Sequence, residues 1–195
     1  MSEDLLDTAN RMFLAKRFAD ALSAYDAILK DSPDNISALN NKGYSLGKMK
    51  DHEGAIRCYE QALRLSPGDK TILTNKISSL RKLKRLDDAL ALCYTLLKSN
   101  PDDNITLYHM ERILFSLGRY DESTSCCEKI LQAYPDNAEV LYDLARGLAK
   151  CGRGDDTVLA ISRCLKSEPS FAAKFRGNET FSFLAEDPEF RRITQ

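Results

Sequence analysis

Five of the six prolines of this chain stand 34 residues apart, at Pro33, Pro67, Pro101, Pro135 and Pro169. Leucines keep the same interval four residues before each proline: Leu29, Leu63, Leu97, Leu131 and Leu165. A second set of leucines precedes each proline by 28 residues: Leu5, Leu39, Leu73, Leu107 and Leu141. A fixed period of this length is typical of a solenoid, in which one supersecondary unit stacks on copies of itself. The repeats are predicted to span residues 2–35, 36–69, 70–103, 104–137 and 138–171.

Each repeat is predicted to contain two amphipathic helices. In the second repeat Leu39, Gly43 and Leu46 are spaced by four and three residues, as on one face of a helix. This spacing predicts helices over residues 36–49 and 53–65. Each proline ends the second helix, because it lacks an N–H group and disfavours helical geometry at the preceding residue. An Asn or Asp soon after the proline is predicted to cap the next helix: Asn35, Asp69, Asp103 or Asn104, and Asn137.

The second repeat carries the fullest set of signature residues: Gly43, Leu46, Ala55, Tyr59, Ala62 and Pro67. With these residues and this period, residues 2–171 resemble the tetratricopeptide repeat (TPR) family. The resemblance implies an all-α TPR-type solenoid, a right-handed superhelix of five helix pairs. It also implies that the first helices of the pairs line a concave groove. No β-strand is expected in such a chain.

Residues 172–195 depart from the repeat period. They contain four phenylalanines, Phe175, Phe181, Phe183 and Phe190, within a short segment. Because the last repeat of a solenoid exposes an apolar face, we expect this segment to be a helical cap that covers it. The pattern Asp187-Pro188-Glu189-Phe190-Arg191 is similar to the end of many TPR-containing chains. An exposed arm that binds a partner remains the alternative.

Composition excludes several classes of function. The formal net charge of −1 gives the whole chain no attraction to nucleic acid or to anionic membranes. No apolar run is long enough to span a bilayer, and the acidic start of the chain does not resemble a secretory signal. The six cysteines are therefore expected to be free thiols in a reducing compartment, which predicts a cytoplasmic protein.

Several motifs of metal-binding and phosphate-binding sites are absent. The chain has no CxxC pair, no HExxH and no P-loop. Its two histidines, His52 and His109, lie far apart in the repeat scheme. We therefore predict a protein that is not an enzyme and that requires no cofactor or metal.

The residues that would face the groove follow from the resemblance, repeat by repeat. They are Asn40, Asn41, Tyr44, Lys48, Thr74, Asn75, Ser78, Arg81, Lys82, Tyr108, His109, Arg112, Tyr142, Arg146 and Lys150, with Phe115 and Asp143 beside them. Six of these are cations, and Asp143 is the one acid. Such a groove favours an extended peptide of acidic or mixed composition, because Asn bonds peptide amides and Arg bonds carboxylates.

The sequence therefore predicts a noncatalytic interaction module, a scaffold or adaptor that holds a protein or peptide partner in its groove. It predicts no nucleic-acid or membrane partner, and a monomer or a weak homo-oligomer. The alternative is a structural scaffold that self-associates or docks through its end faces or its Phe-rich tail.

Overall fold

A computed structural model shows the paired helices of the chain. It describes residues 2–195, with side chains from residue 5 onward. Ten helices of 13 or 14 residues alternate with short turns. They are α1 (Ser2–Leu14), α2 (Phe18–Asp31), α3 (Ile36–Lys48), α4 (His52–Leu65), α5 (Lys70–Lys82), α6 (Leu86–Ser99), α7 (Asn104–Ser116), α8 (Tyr120–Ala133), α9 (Ala138–Lys150) and α10 (Gly154–Ser167). The described residues form no strand, and the all-α fold is confirmed.

The tail continues with shorter elements. They are a 3₁₀ turn (Pro169–Phe171), α11 (Ala172–Arg176), a 3₁₀ helix (Glu179–Leu184) and α12 (Pro188–Thr194). The helices group into two compact units, unit 1 (Met1–Leu92) and unit 2 (Cys93–Gln195), which are described separately below.

The first helix of a repeat begins at an asparagine or aspartate, as the sequence predicts. The side chains of Asn35, Asp69, Asp103 and Asn137 each accept a hydrogen bond from the backbone N–H three residues later, at 2.9–3.2 Å. Such caps satisfy donors that the first turn of a helix leaves unpaired. Of the two candidates in the fourth repeat, the cap is Asp103.

The turn inside each helix pair requires one residue with left-handed backbone geometry. In the first three repeats this residue is a lysine, with φ of 60° at Lys16, 70° at Lys50 and 63° at Lys84. In the last two repeats it is Gly118 or Gly152, with φ of 76° and 73°. Glycine adopts this conformation without the steric cost that a side chain imposes, so the lysine turns are the strained ones.

An arginine–acid pair opens most of the second helices. The arginine precedes the helix, and its Nε donates to a carboxylate in the first turn, at 2.6–2.9 Å: Arg17 to Asp20, Arg85 to Asp88, Arg119 to Glu122 and Arg153 to Asp156. The second repeat differs, since Asp51 caps α4 directly by accepting from the Gly54 N–H at 2.8 Å. The exposed pairs contribute little stability individually, because water screens them.

The core of unit 1 depends on a small residue that faces a large one. A Cβ added to Gly43 on α3 would lie 2.6 Å from Cε1 of Tyr59 on α4, so only glycine lets this ring lie flat against the helix. Around it pack Leu39, Ala55 and Ile72, all buried. The same two positions of the fourth repeat hold Glu111 and Cys127, so the larger side chain has moved from the second helix to the first.

The repeated leucines are less uniformly buried than their spacing suggests. Leu39, Leu107 and Leu141, each the fourth residue of a first helix, are buried. The set that precedes the prolines lies in the last turns of the second helices. There only Leu131 is buried, and Leu63 and Leu97 are half-exposed. Truncating either of those two will therefore cost less than truncation of a fully buried leucine.

The tail packs against the last helix pair of unit 2. The 3₁₀ helix Glu179–Leu184 contacts α9, and α12 contacts α10. Phe175 and Phe181 are 0% and 1% exposed, and Phe190 is also buried, whereas Phe183 is 52% exposed. Three of the four tail phenylalanines are thus buried.

Candidate functional site

The asparagines expected in the groove of unit 1 form a hydrogen-bonded row across the first helices. Asn41 Nδ2 donates to Asn10 Oδ1 at 2.9 Å, and Asn40 Nδ2 donates to Asn41 Oδ1 at 3.2 Å. Asn75 Nδ2 donates to Asn40 Oδ1 at 3.0 Å, and the Tyr25 hydroxyl donates to Asn10 at 2.7 Å. This asparagine row (Asn10, Asn41, Asn40, Asn75) joins α1, α3 and α5, so part of its bonding capacity is used within the protein.

A cavity of about 420 Å³ lies beside the asparagine row in unit 1. Five of the predicted groove residues line it: Tyr44, Lys48, Asn75, Ser78 and Lys82. Lys50 and His52 of the turn and of α4 line it as well. Lys48 Nζ lies 5.0 Å from the centroid of the Tyr44 ring. We call this space the lysine cavity.

Two further predicted residues of unit 1 lie outside this cavity. Thr74 donates its hydroxyl to the carbonyl of Lys70 in its own helix at 2.8 Å, so the hydroxyl serves α5 itself. Arg81 lies half-buried near the end of the same helix.

In unit 2 the predicted groove arginines are paired with the one predicted groove acid. Asp143 Oδ1 accepts from Arg146 at 3.0 Å, and its Oδ2 accepts from Arg112 at 3.4 Å. Asp143 is 4% exposed. Burial raises the pKa of this carboxyl, and the positive charges of Arg112 and Arg146 oppose that shift. The two arginines therefore share one carboxylate within the protein, which offsets part of their positive charge.

Both arginines also lie over aromatic rings. The Arg112 guanidinium is 4.6 Å from the Tyr108 centroid, and that of Arg146 is 4.2 Å from the Phe115 centroid. His109 packs edge-to-face near Tyr108, with centroids 6.4 Å apart. Stacking of this kind fixes the guanidinium planes and adds to the ion pairs.

Tyr142 is tied to the tail. Its ring lies 5.1 Å from Phe175 and 5.7 Å from Phe171, centroid to centroid, and its hydroxyl accepts from Asn178 Nδ2 at 3.0 Å. Beside it, Lys150 lines an open cavity of about 920 Å³, which the tail residues 173–182 complete. Among the predicted groove residues of the fifth repeat, Lys150 is thus the exposed cation.

One ionisable residue was missed by sequence reasoning. Glu111 on α7 is 2% exposed, and Ser123 donates its hydroxyl to Oε1 at 3.1 Å. Its Oε2 atom has no hydrogen-bond partner among the described residues. Burial, with a smaller contribution from the Asp143 charge, raises the pKa of Glu111 to about 7. The sequence does indicate that Glu111 is unusual, because the other four repeats have uncharged residues at this position: Ala9, Gly43, Ile77 and Ala145.

The cysteines are free thiols, and all but Cys151 are buried. Burial raises the pKa of Cys126 to about 11 and also raises that of Cys127, so neither is a reactive thiolate near neutral pH. Within residues 2–195, no group of three or more His, Cys, Asp or Glu side chains is placed to hold a metal ion. Every helix described is too short or too polar to cross a bilayer.

Family models described as tetratricopeptide repeat match residues 36–69 and 112–137. No curated protein matches the chain by sequence.

Solved structures show the same fold at low sequence identity. A tetratricopeptide repeat protein from Parabacteroides merdae is 20% identical, with a TM-score of 0.84 over 98% of this chain and 75% of that one. MamA from Desulfovibrio magneticus is 15% identical, with a TM-score of 0.81 over 87% of this chain and 96% of that one. YrrB, described as a TPR protein with an unusual peptide-binding site, is 18% identical, with a TM-score of 0.73 over 93% and 90%.

The two matched segments lie in different units and keep the 34-residue register that all five prolines share. Together with the fold of the solved neighbours, they show that the chain contains tetratricopeptide repeats and has the fold of TPR proteins.

Proposed function

We propose that the chain is a noncatalytic protein-interaction scaffold that binds an extended peptide of acidic or mixed composition along the faces of its first helices. The observation that carries the proposal is the lysine cavity of unit 1 beside the asparagine row. The proposed contact residues are Asn40, Asn41, Tyr44, Lys48, Thr74, Asn75, Ser78, Arg81 and Lys82 in unit 1, and Tyr108, His109, Arg112, Tyr142, Arg146 and Lys150 in unit 2.

The asparagine row supports recognition of a peptide backbone. An amide side chain has two donors and two acceptor lone pairs, and the bonds within the row use only some of them. Because neighbouring side chains already hold these amides in place, a ligand does not have to order them on binding. Such a surface contacts main-chain N–H and C=O groups whatever the peptide sequence.

The charge preference rests on lysines more than on arginines. Arg112 and Arg146 are paired with Asp143, whereas Lys48 and Lys82 are exposed and line a cavity with no carboxylate. A peptide carboxylate is thus attracted most strongly to the lysine cavity and to Lys150. The resemblance to YrrB in fold is compatible with peptide binding.

The test measures binding of a fluorescent, glutamate-rich peptide at low salt. Wild-type protein should bind it with a dissociation constant on the order of micromolar, or ~−8 kcal/mol. Lys48→Glu combined with Lys82→Glu should weaken binding by about 100-fold or more, since each change replaces attraction by repulsion.

The matched control is Arg57→Glu combined with Arg64→Glu, two exposed positions on α4 that do not line the cavity. It makes the same change in net charge and should leave most of the affinity intact. Equal loss in both double variants would contradict a groove site. Reversal of Arg112 or Arg146 is a poor test, because a new carboxylate would lie beside the buried Asp143 and destabilise unit 2.

The second candidate function is a self-associating scaffold, and the observation in its favour is the exposed Phe183 ring in the tail. Sedimentation velocity at two concentrations tests it. A concentration-dependent dimer that Phe183→Ser abolishes would support self-association. A single monomeric species would exclude it, and the point change avoids uncovering the apolar face that the other tail phenylalanines protect.

A further inference from the structure

We infer that the lysine cavity binds the phosphate group of a phosphorylated side chain in the partner peptide, at its inner end near Gly47 and His52. The inference rests on the proposed function, since it names the group on the peptide that this cavity recognises. Four observations carry it: the charge of the lining, an unsatisfied imidazole nitrogen, the shape of the inner end and the size of the space.

The lining is positively charged to a degree unusual for this chain. Lys48, Lys50 and Lys82 all line the cavity, and no Asp or Glu does. Among the described residues none of the three forms an ion pair, in contrast to Lys42 and Lys76 on the same helices, which bind Asp26 and Glu60. Three uncompensated cations around one cavity, in a chain of net charge −1, create a local attraction for a multiply charged anion.

An imidazole in the wall lacks a partner. His52 lines the cavity, and its Nδ1 atom is buried with no hydrogen-bond partner among the residues described. Buried polar atoms in folded proteins are nearly always bonded, so this nitrogen favours a polar group that enters the cavity. A phosphate oxygen can accept a hydrogen bond from an N–H at this ring position.

The inner end of the cavity is shaped by a glycine. A Cβ on Gly47 would lie 3.9 Å from both His52 Nδ1 and Ser79 Oγ. The absence of that carbon leaves room for a small group to face the imidazole and the hydroxyl together.

Phosphate matches this donor set better than a carboxylate does. A phosphomonoester carries about −1.5 to −2 charges and three acceptor oxygens, and lysine binds it as a point charge. A single carboxylate would leave two of the three lysines uncompensated. The volume of about 420 Å³ accommodates a phosphorylated side chain with the backbone on either side. The larger cavity of unit 2 is a weaker candidate, because Glu179 lines it together with Lys150 and Lys174.

The experiment compares one fluorescent peptide in three forms, with serine, phosphoserine or glutamate at its centre, against the full chain at fixed ionic strength. The phosphoserine form should bind at least about tenfold more tightly than the serine form, as expected for one added charge-assisted contact. Lys48→Gln combined with Lys82→Gln should abolish this ratio. The matched control, Arg57→Gln combined with Arg64→Gln, should preserve it.

A neutral substitution separates the cavity from general electrostatic attraction. Gly47→Ala changes no charge and favours the helix, but it fills the space in front of His52, so it should reduce the phosphoserine preference several-fold. If the preference survives Gly47→Ala, or survives loss of both lysines, phosphate binds elsewhere and the inference is wrong.

The outcomes also distinguish the inference from the proposed function. Tight binding of the glutamate peptide with no gain from phosphoserine would overturn the phosphate site and leave the proposed function standing. If none of the three peptides binds, the proposed function fails and the phosphate site fails with it.

Discussion

Unit 1 and unit 2 use one repeat framework to present opposite kinds of first-helix surface. The position of Asn41 and Asn75 in unit 1 is that of Asp143 in unit 2. Tyr44 and Ser78 of unit 1 occupy the repeat position that Arg112 and Arg146 occupy in unit 2. In unit 1 the amides bond one another, and no acid lines the cavity that holds the cations. In unit 2 the acid binds both arginines.

The difference teaches that a count of charges does not describe a binding surface. Six cations and one acid were expected along the groove, which suggests a uniformly positive wall. The single acid is placed where two of the six cations share it, and the lysines are left without such a partner. The attraction of a cation for an anionic ligand depends on whether the cation already has an acidic partner inside its own unit.

The largest expected effect concerns the tail, which packs against α9 and α10 of unit 2. Phe175→Ala should destabilise the protein by about 3–5 kcal/mol, because the ring is 0% exposed and packs against Tyr142 and Phe181. Denaturation in urea measures it. Phe183→Ala is the control: the same side chain is lost from an exposed site, and the cost should stay within about 0.5 kcal/mol. Similar costs for both would mean that the tail is not part of the core.

The next effect is a pH dependence that belongs to unit 2. The raised pKa of Glu111 means that the folded state holds this proton more tightly than the unfolded chain does. Protonated Glu111 therefore contributes about 3 kcal/mol to the free energy of unfolding, and this contribution is lost as the pH rises from about 4.5 to about 7. Glu111→Gln should remove that loss and be the more stable protein at pH 8.

Unfolding free energies of the two proteins between pH 4.5 and pH 8 provide the measurement. The difference between them should grow with pH and level off above neutrality. A constant difference would show that Glu111 titrates normally and that the carboxylate is better solvated than its burial indicates.

A smaller effect concerns the turns, where the units differ in residue type at one backbone conformation. Lys84→Gly should stabilise the protein by roughly 1 kcal/mol, and Gly118→Lys should destabilise it by a similar amount. No atom lies within 4 Å of a Cβ built on Gly118, so the cost comes from the backbone alone. Melting temperatures of both variants give the test, and shifts of the same sign would contradict it.

The smallest effect makes unit 2 resemble unit 1. Asp143→Asn introduces the amide of the second and third repeats and releases Arg112 and Arg146. Affinity for the glutamate-rich peptide should rise by about threefold, roughly 0.6 kcal/mol. Stability should change little, because the lost ion pairs are offset by the lost cost of burying a carboxylate. An unchanged affinity would confine peptide binding to unit 1.

Much of the fold could be predicted because its signals are local. The helices expected over 36–49 and 53–65 are Ile36–Lys48 and His52–Leu65. Proline stops and Asn or Asp caps act within a few residues, so a repeating sequence shows them directly. The contacts within the site are harder to predict from the sequence. The hydrogen bond from Asn75 to Asn40, for example, joins different repeats and depends on how two helices pack. The same holds for Arg112 and Asp143, whereas the Arg146–Asp143 pair has helical i,i+3 spacing and could have been anticipated.

The exchange of volume between Gly43–Tyr59 and Glu111–Cys127 has a consequence for protein engineering. TPR units invite shuffling, because each has the same length and the same caps. Here, however, the two helices of a repeat are matched to each other by size. A chimera that joins α3 to α8 would set glycine against cysteine and leave a hole, and one that joins α7 to α4 would force glutamate against tyrosine. The helix pair, and not the single helix, is the part that can be exchanged.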